Sequence, residues 1–344
     1  PLATGQERIL PLRYNVTGKT DVGLVRSGNE DYLHLDEANA VFAVCDGMGG
    51  HQAGEVASMS AADTMLTVFT HLKKELLADP DLVLDESMPP SGELLVKSIR
   101  MANREVYNRS LTDPLLTGMG TTVVAVALEG DVMSVAHVGD SRAYRLEERQ
   151  LTPLTLDHSW VSEMREKQLI SDEEALNAVG KNVITRALGV RETVEVDYRL
   201  VKVRAGDMYI LCSDGLCGFA DDDEIFTVAD RARSDIKRVA DDLVQMANDR
   251  GGADNVTVIV LHILEPGESN HAERDVQTFP AESPDLLKAE DAWLERLRNY
   301  RVEDKPPPDA DTSTKGASRF LLTLIFVVFA IVAVAMVYLS TTGH

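Results

Sequence analysis

Basic residues are scarce in this chain: 34 lysines and arginines stand against 56 aspartates and glutamates, giving a formal charge of −22 over 344 residues. A protein that grips nucleic acid through its phosphates needs a basic face, so nucleic acid is not expected as a partner. Cysteine is scarcer still. Cys45, Cys212 and Cys217 are too few for a disulfide framework, and no C-x-x-C spacing supports zinc. Cys45 and Cys212 each lie inside an apolar run beside an aspartate, the setting of reduced, buried packing residues in a cytosolic domain. The chain has no internal repeat, no G-x-x-x-x-G-K-[ST] loop and no well-placed G-x-G-x-x-G, which disfavours a nucleotide-binding parallel fold. Its opening stretch, PLATGQERILPLRYN, lacks the basic start, apolar centre and small-residue cleavage site of a signal peptide.

Long uncharged runs are missing except near the far end, where FLLTLIFVVFAIVAVAMVYL covers Phe320–Leu339. At about 1.5 Å per residue such a helix matches the thickness of a bilayer core. The competing reading, a helix buried in a globular core, rarely lacks every polar face. Lys315 and Arg319 precede the run and no lysine or arginine follows it. Positive charge favours the cytoplasmic side, so the expectation is a single-pass helix (319–339) in the inner membrane, the main domain in the cytoplasm and a short tail (340–344) outside.

The folded domain is expected over 1–264, followed by a polar tether over 265–318 that contains Pro306-Pro307-Pro308. Inside the tether, 285–301 places Leu286, Leu287, Trp293, Leu294 and Leu297 on one helical face, as an amphipathic juxtamembrane helix would. Within the domain, short strands lead to helices over Glu55–Leu77 and Ser91–Arg109. A hairpin turning at Glu129-Gly130-Asp131 follows, then a polar segment over 157–189, strands over 194–203 and 207–213, and helices over 221–231 and 235–248. Hairpins interrupted by blocks of helix predict an α+β fold of antiparallel sheets covered by helices.

Four apolar runs each carry an aspartate at the lip: Asp46 in AVFAVCDGMGG, Asp140 in MSVAHVGDSR, Asp214 in MYILCSDGL and Asp254 in GGADNVTVIVL. Each run reads as a buried strand, which puts each carboxylate where strand meets loop. Singly, Asp46-Gly47 and Asp214-Gly215 would be tight turns. Together the four acids would repel one another unless a cation sits between them. Carboxylates without clustered histidine or cysteine select Mg²⁺ or Mn²⁺, and one carboxylate bridging two such ions would hold a water acidic enough to attack at neutral pH. RSGNED, Arg26–Asp31, adds an arginine fork suited to phosphate and two acids able to orient waters.

In order along the chain, RSGNED, VCDGMGGHQAGEVAS, GMGTT, VAHVGDSRAYRL, LDHS, NVITRALG, CSDGL and GGADNVTVIVL resemble the metal-dependent serine/threonine protein phosphatases of type 2C in their bacterial form. The resemblance covers about Asn15–Leu264. It implies a sandwich of two antiparallel sheets flanked by helices, with a two-metal centre at one end. It implies hydrolysis of phosphoserine and phosphothreonine in proteins by a bridging hydroxide, with Mn²⁺ or Mg²⁺ as cofactor. By the same resemblance Asp46 bridges the two ions, the Gly47 carbonyl joins one of them, and Asp214 and Asp254 hold the other. Glu30 and Asp31 act through waters, Arg26 binds phosphate, and Asp140 with Asp214 holds a weaker third ion. Residues 157–189 correspond to a flap beside the cleft.

Met48 stands where animal members carry a histidine, which leaves the general acid unassigned, and His51 does not inherit that role. Gly218 stands where many members have a further aspartate, which weakens the third site. The implied partners are phosphorylated proteins, an opposing serine/threonine kinase and the membrane. Three alternatives stay open: a silent membrane-tethered relative, a phosphatase specialised for an anti-sigma antagonist protein, and a small-molecule phosphohydrolase.

Overall fold

The computed structural model describes residues 12–50, 52–78, 88–147, 150–171 and 183–280, with 287, 288, 291, 292, 294 and 295. The chain divides into two units, Pro1–Glu290 and Asp291–His344. In the second unit Asp291, Ala292, Leu294 and Glu295 are helical, and so are Leu287 and Lys288 in the first; all six fall within the stretch 285–301. The other residues of that stretch, and the apolar run 319–339, lie outside the described residues. No helix among the described residues is long and apolar enough to cross a membrane.

The strands are β1 (Arg13–Asp21), β2 (Asp31–Asp36), β3 (Val41–Met48), β4 (Gly120–Thr121), β5 (Val123–Glu129), β6 (Val132–Val138), β7 (Arg142–Leu146), β8 (Leu151–Pro153), β9 (Val196–Lys202), β10 (Met208–Cys212), β11 (Val256–Glu265) and β12 (Arg274–Phe279). They form two sheets, β1-β11-β10-β7-β8 and β12-β9-β6-β5-β3-β2, with β4 paired to the end of β3. The named strand pairs are antiparallel. Helices are α1 (Gln52–Ala78), α2 (Pro90–Thr112), α3 (Trp160–Glu166), α4 (Asp214–Cys217), α5 (Asp222–Arg231) and α6 (Ile236–Asp249).

Each motif strand feeds two apolar layers at once. On β3, Phe42 and Val44 enter the layer between the sheets, while Val41, Ala43 and Cys45 pack with α1 and α2 residues such as Ala57, Met65 and Leu95. On β10 and β11, Tyr209, Leu211, Ile259 and Leu261 face the same middle layer. Met208, Ile210, Cys212, Val258 and Val260 face α5 and α6 residues such as Ile225 and Leu243. The result is helix, sheet, sheet, helix. A strand buried on both faces has no polar side to show, and for that reason its sequence is a continuous apolar run rather than an alternation.

Local signals set the helix ends. Asp221 and Glu224 form a reciprocal capping box at the start of α5, and the Asp235 side chain accepts from the Arg238 amide at the start of α6. The β5–β6 hairpin turns on Gly130, at φ +60°, one residue tighter than the three-residue turn expected. One element differs from expectation: residues 274–279, placed in the tether by sequence, form β12 on the edge of β9. Most of its side chains are exposed, so it has no apolar period to read. Its anchors are the ladder itself and Phe279, whose ring meets that of Tyr198 edge-on at 5.8 Å.

Register brings Asp31 opposite Asp46, and Cys212 opposite both Arg142 and Val258. The ends of β3, β6 and β10 and the starts of β2, β7 and β11 therefore share one edge of the sandwich. The two Asp-Gly pairs there are not tight turns. Gly47 continues β3 and Gly215 lies in α4, and neither has a positive φ. Both are glycines because backbone presses on them: a Cβ on Gly47 would meet the Gly54 carbonyl oxygen at 2.1 Å, and one on Gly215 would meet the Asn255 carbonyl oxygen at 1.8 Å. Gly215→Ala should therefore destabilise the domain by about 1–3 kcal/mol through overpacking. Gly28→Ala, whose Cβ would meet nothing within 4 Å, should shift stability by less than about 1 kcal/mol. Urea denaturation of the two variants checks the contrast.

Candidate metal centre

Five aspartates converge on the shared edge. Asp46 ends the apolar part of β3, and Asp31 faces it from β2 with only 7 % of its surface exposed. Asp140 follows β6, equally buried; Asp214 opens α4 and Asp254 precedes β11. Burial, then the charges of Asp31, Asp214, Asp140 and Asp254, holds the Asp46 carboxyl well above the usual carboxylate range. Burial pushes Asp31 up to about 7, with Asp214 and Asp254 adding to the push against hydrogen bonds from Thr257 and Ser213. Asp140 is pushed up to about 7 by burial and by Asp214. Asp214 is raised by burial and by Asp254. Keeping a carboxylate ionised at neutral pH after a displacement from about 4 to about 7 costs on the order of 4 kcal/mol.

A polar scaffold holds these acids in place. The Ser213 hydroxyl donates to Asp31 Oδ2 at 2.7 Å and accepts from the Thr257 amide at 3.0 Å. Thr122 Oγ1 accepts from the Asp46 amide at 3.0 Å and meets Ser141 Oγ at 2.7 Å, linking β3 to the turn that bears Asp140. Asn255 gathers the remaining loop: its Oδ1 accepts from the Glu30 amide at 2.8 Å, and its Nδ2 donates to the carbonyls of Val22 and Gly28, both at 2.9 Å. The Glu30 carbonyl accepts from the Gly47 amide at 3.1 Å and from the Ser58 hydroxyl at 2.6 Å. Thr122, Ser213, Asn255 and Thr257 lie inside the motifs GMGTT, CSDGL and GGADNVTVIVL, and none of them is among the site residues expected from sequence. Their hydroxyl and amide side chains beside the acids were the available signal.

Arg26 lies half exposed at the rim and donates to Asp254 Oδ2 at 2.8 Å. Burial works against its charge, but Asp254, Glu30 and Asp46 outweigh it and raise the guanidinium pKa. The other Asp254 oxygen accepts from the Asn255 amide at 2.9 Å. A pocket of about 480 Å³, lined by Arg26, Asn29, Glu30, Gln52 and Glu55 among others, opens at this rim.

The site-bearing residues expected from sequence (Arg26, Glu30, Asp31, Asp46, Gly47, Asp140, Asp214 and Asp254) thus lie along one end of the sandwich. The donor set suits a hard cation. It consists of carboxylates, of which Asp31, Asp46, Asp140 and Asp214 are raised by burial and neighbouring acids, and Asp140 Oδ1 is buried without a hydrogen-bond partner. Gly218 caps α4, its amide donating to the Asp214 carbonyl at 2.7 Å, and a Cβ there would meet that same oxygen at 2.7 Å. A side-chain ligand at 218 would have to displace the turn. His51 and residues 172–182 of the expected flap lie outside the described residues.

A second group of possible ligands, His137, His158 and Asp197, brings donor atoms within 4.8 Å of one another. The Arg186 guanidinium already lies there, 2.8 Å from Asp197 Oδ1 and 3.0 Å from His158 Nε2. The two imidazoles are stacked with centroids 4.6 Å apart, so their ring nitrogens do not converge on a point. That group is an ion-paired cluster and not a metal site.

Comparison with known proteins agrees with this geometry. The family profile described as protein phosphatase 2C matches residues 25–261. The serine/threonine phosphatase stp of Listeria monocytogenes is 37% identical over 246 residues, covering 71% of this chain and 93% of that protein. PstP of Mycobacterium tuberculosis, a serine/threonine protein phosphatase, is 36% identical over 259 residues, which are 74% of this chain and 46% of PstP. Among solved structures, Stp1 from Staphylococcus aureus superposes with a TM-score of 0.64 at 32% identity, covering 75% of this chain and 98% of its own. The catalytic domain of PstP in complex with two manganese ions gives 0.62 at 32%, covering 74% and 100%. A match across more than half the chain, on a fold that gathers the motif residues at one edge, settles the assignment: the chain belongs to the protein phosphatase 2C family and is a serine/threonine protein phosphatase.

Proposed function

We propose that the acidic edge holds two Mn²⁺ or Mg²⁺ ions and hydrolyses phosphoserine and phosphothreonine esters of proteins there, with Asp46 between the ions. The buried carboxylate cluster carries this reading, because at neutral pH cations would relieve the repulsion that otherwise drives these acids toward protonation. The Gly47 carbonyl, Asp214 and Asp254 would help hold these ions, and Asp140 with Asp214 would hold a weaker third. When bound, the ions neutralise phosphoryl charge and lower the pKa of water.

The chain's own groups set the rest of the chemistry. Arg26, at the pocket rim, offers its planar fork to the phosphate oxygens and in doing so leaves Asp254. Glu30 and Asp31, fixed through Asn255 and Ser213, orient waters. Cys45 is not a nucleophile: it faces the helical layer, and burial followed by the charges of Asp31 and Asp46 drives its thiol pKa far upward.

The uncharged run 320–339 supports attachment of this domain to the inner membrane from the cytoplasmic side, where its substrates and an opposing serine/threonine kinase would be found. The full chain should then stay in the membrane pellet through an alkaline carbonate wash, and a chain ending at 318 should move to the supernatant. Recovery of the full chain in the supernatant would overturn the anchor.

Asp46→Ala and Asp254→Ala should each lower turnover of a phosphothreonine peptide with Mn²⁺ by about a thousandfold or more, a loss near 4 kcal/mol in the barrier. Turnover at the wild-type rate by either variant contradicts the site. Arg26→Ala should raise KM about 10–100-fold, the value of a charge-assisted hydrogen bond. An unchanged KM contradicts its role.

The raised carboxyls also set a pH dependence. A group whose folded pKa lies above its unfolded value contributes stability that is whole below the unfolded pKa and is lost as pH climbs through the folded one. For Asp31 and Asp140 that loss runs from about pH 4 to beyond 7. The metal-free domain should therefore melt lower at pH 8 than at pH 5. A saturating excess of Mn²⁺ should raise the melting temperature by about 5–10 °C at pH 8 and by less at pH 5. Scanning fluorimetry with and without a chelator checks this.

A further inference from the structure

The cluster around His158 has no role in the reaction described so far, yet it touches the metal-binding edge at one point. The His158 Nδ1 accepts from the backbone amide of Gly139 at 3.0 Å, and the His158 amide donates to the Gly139 carbonyl at 2.9 Å. One residue thus grips both polar groups of Gly139, which sits at φ +110° immediately before Asp140. A Cβ on Gly139 would meet Thr122 side-chain atoms at 2.7 Å, so this turn has little room to relax.

The geometry also fixes the tautomer. An amide can only donate, so Nδ1 carries no proton and the ring hydrogen sits on Nε2. That nitrogen lies 3.1 Å from Asp197 Oδ2, to which it donates; Arg186 Nη1, 3.0 Å from the same nitrogen, is itself only a donor and makes no hydrogen bond to it in this tautomer. Arg186 Nη1 donates to the other oxygen, Asp197 Oδ1, at 2.8 Å. His137 stacks on the His158 ring and donates from Nε2 to the Leu156 carbonyl at 2.8 Å. The imidazole is held on its face by His137 and at its far nitrogen by Asp197, leaving its near nitrogen aimed at Gly139. Next along the chain, Asp157 takes a two-pronged hydrogen bond from Arg142, at 2.8 and 2.7 Å, on the other side of the same turn. The turn 139–142 is therefore clamped from both ends by residues 157 and 158, and its remaining free group is the buried, unpartnered Asp140 Oδ1.

We propose that His158, oriented by Asp197, is a positioning residue that presents the Asp140 carboxylate to a divalent cation by holding the Gly139 amide. The proposal rests on Asp140 being a cation ligand, as read above. Asp197 sets the tautomer, as the outer partner of a histidine does in a metal site, but here the histidine orders a ligand-bearing turn rather than binding the ion itself.

Two amides separate the halves of the imidazole. In His158→Asn the side-chain oxygen can occupy the place of Nδ1 and accept from Gly139 without reaching Asp197. In His158→Gln the longer amide reaches Asp197 and leaves the Gly139 amide without its acceptor. Mn²⁺ titration of the purified full chain, followed by electron paramagnetic resonance, counts bound ions and gives the affinity of each. Asp140→Ala should lose the weakest ion. His158→Gln should weaken that ion at least tenfold while the tighter ions keep their wild-type affinity, and His158→Asn should stay within about threefold of wild type. Hydrogen exchange at the Gly139 amide should accelerate at least tenfold in His158→Gln and not in His158→Asn, which separates loss of this one contact from general loosening.

Wild-type affinity for the weak ion in His158→Gln, alongside its loss in Asp140→Ala, overturns the proposal alone. Retention of every ion in Asp140→Ala overturns the reading of Asp140 and the proposal with it. Equal weakening of all ions in His158→Gln and His158→Asn also overturns it, because that would be a structural defect.

Discussion

Repulsion among carboxylates in a poorly solvated corner is the constraint around which this domain is arranged. Asp31, Asp46, Asp140 and Asp214 are each displaced toward the protonated form by burial and by neighbouring aspartates, Asp254 being the one that acts on Asp214. Packing does not remove that penalty, since the apolar layers are already complete a residue or two before each acid. The scaffold meets it with neutral groups: the Ser213 hydroxyl donates to Asp31, while the Thr122 hydroxyl and the Asn255 side-chain oxygen accept from the Asp46 and Glu30 amides, holding the loops without adding positive charge. A net −22 protein thereby keeps an acidic edge open to divalent cations rather than closing it with its own lysines.

Three apolar layers make such an edge possible. Since β3, β10 and β11 are buried on both faces, their ends are rigidly placed, and the acids that follow inherit that placement. The close approaches at Gly47 and Gly215 have the same origin, with neighbouring backbone filling the space that a side chain would occupy. Specificity of geometry at the edge thus derives from packing deeper in the sandwich, and the site needs no long-range ordering of its own.

Much of this was legible in the sequence. The apolar runs ending in Asp46, Asp140, Asp214 and Asp254 were readable because burial on both faces leaves no polar residue to blur them. Helix starts at Asp221 and Asp235 were readable because capping is a local interaction. What was hidden has equally physical causes. Strand β12 is exposed on its edge and obeys no period. The Asp-Gly pairs suggested turns because the alternative, backbone pressing on a glycine, depends on residues outside the pair, Gly54 against Gly47 and Asn255 against Gly215. His158, Arg186 and Asp197 come from three segments, and nothing in their spacing announces that they meet.

The contact between Arg26 and Asp254 bears on the proposed chemistry. Both oxygens of Asp254 are engaged, one by the Arg26 guanidinium and the other by the Asn255 amide, so a cation held by Asp254 would share that carboxylate with the arginine. On the reading proposed above, such a cation would weaken the hold of Asp254 on Arg26 and leave more of the guanidinium fork for an oxyanion, which would favour metal before phosphoester.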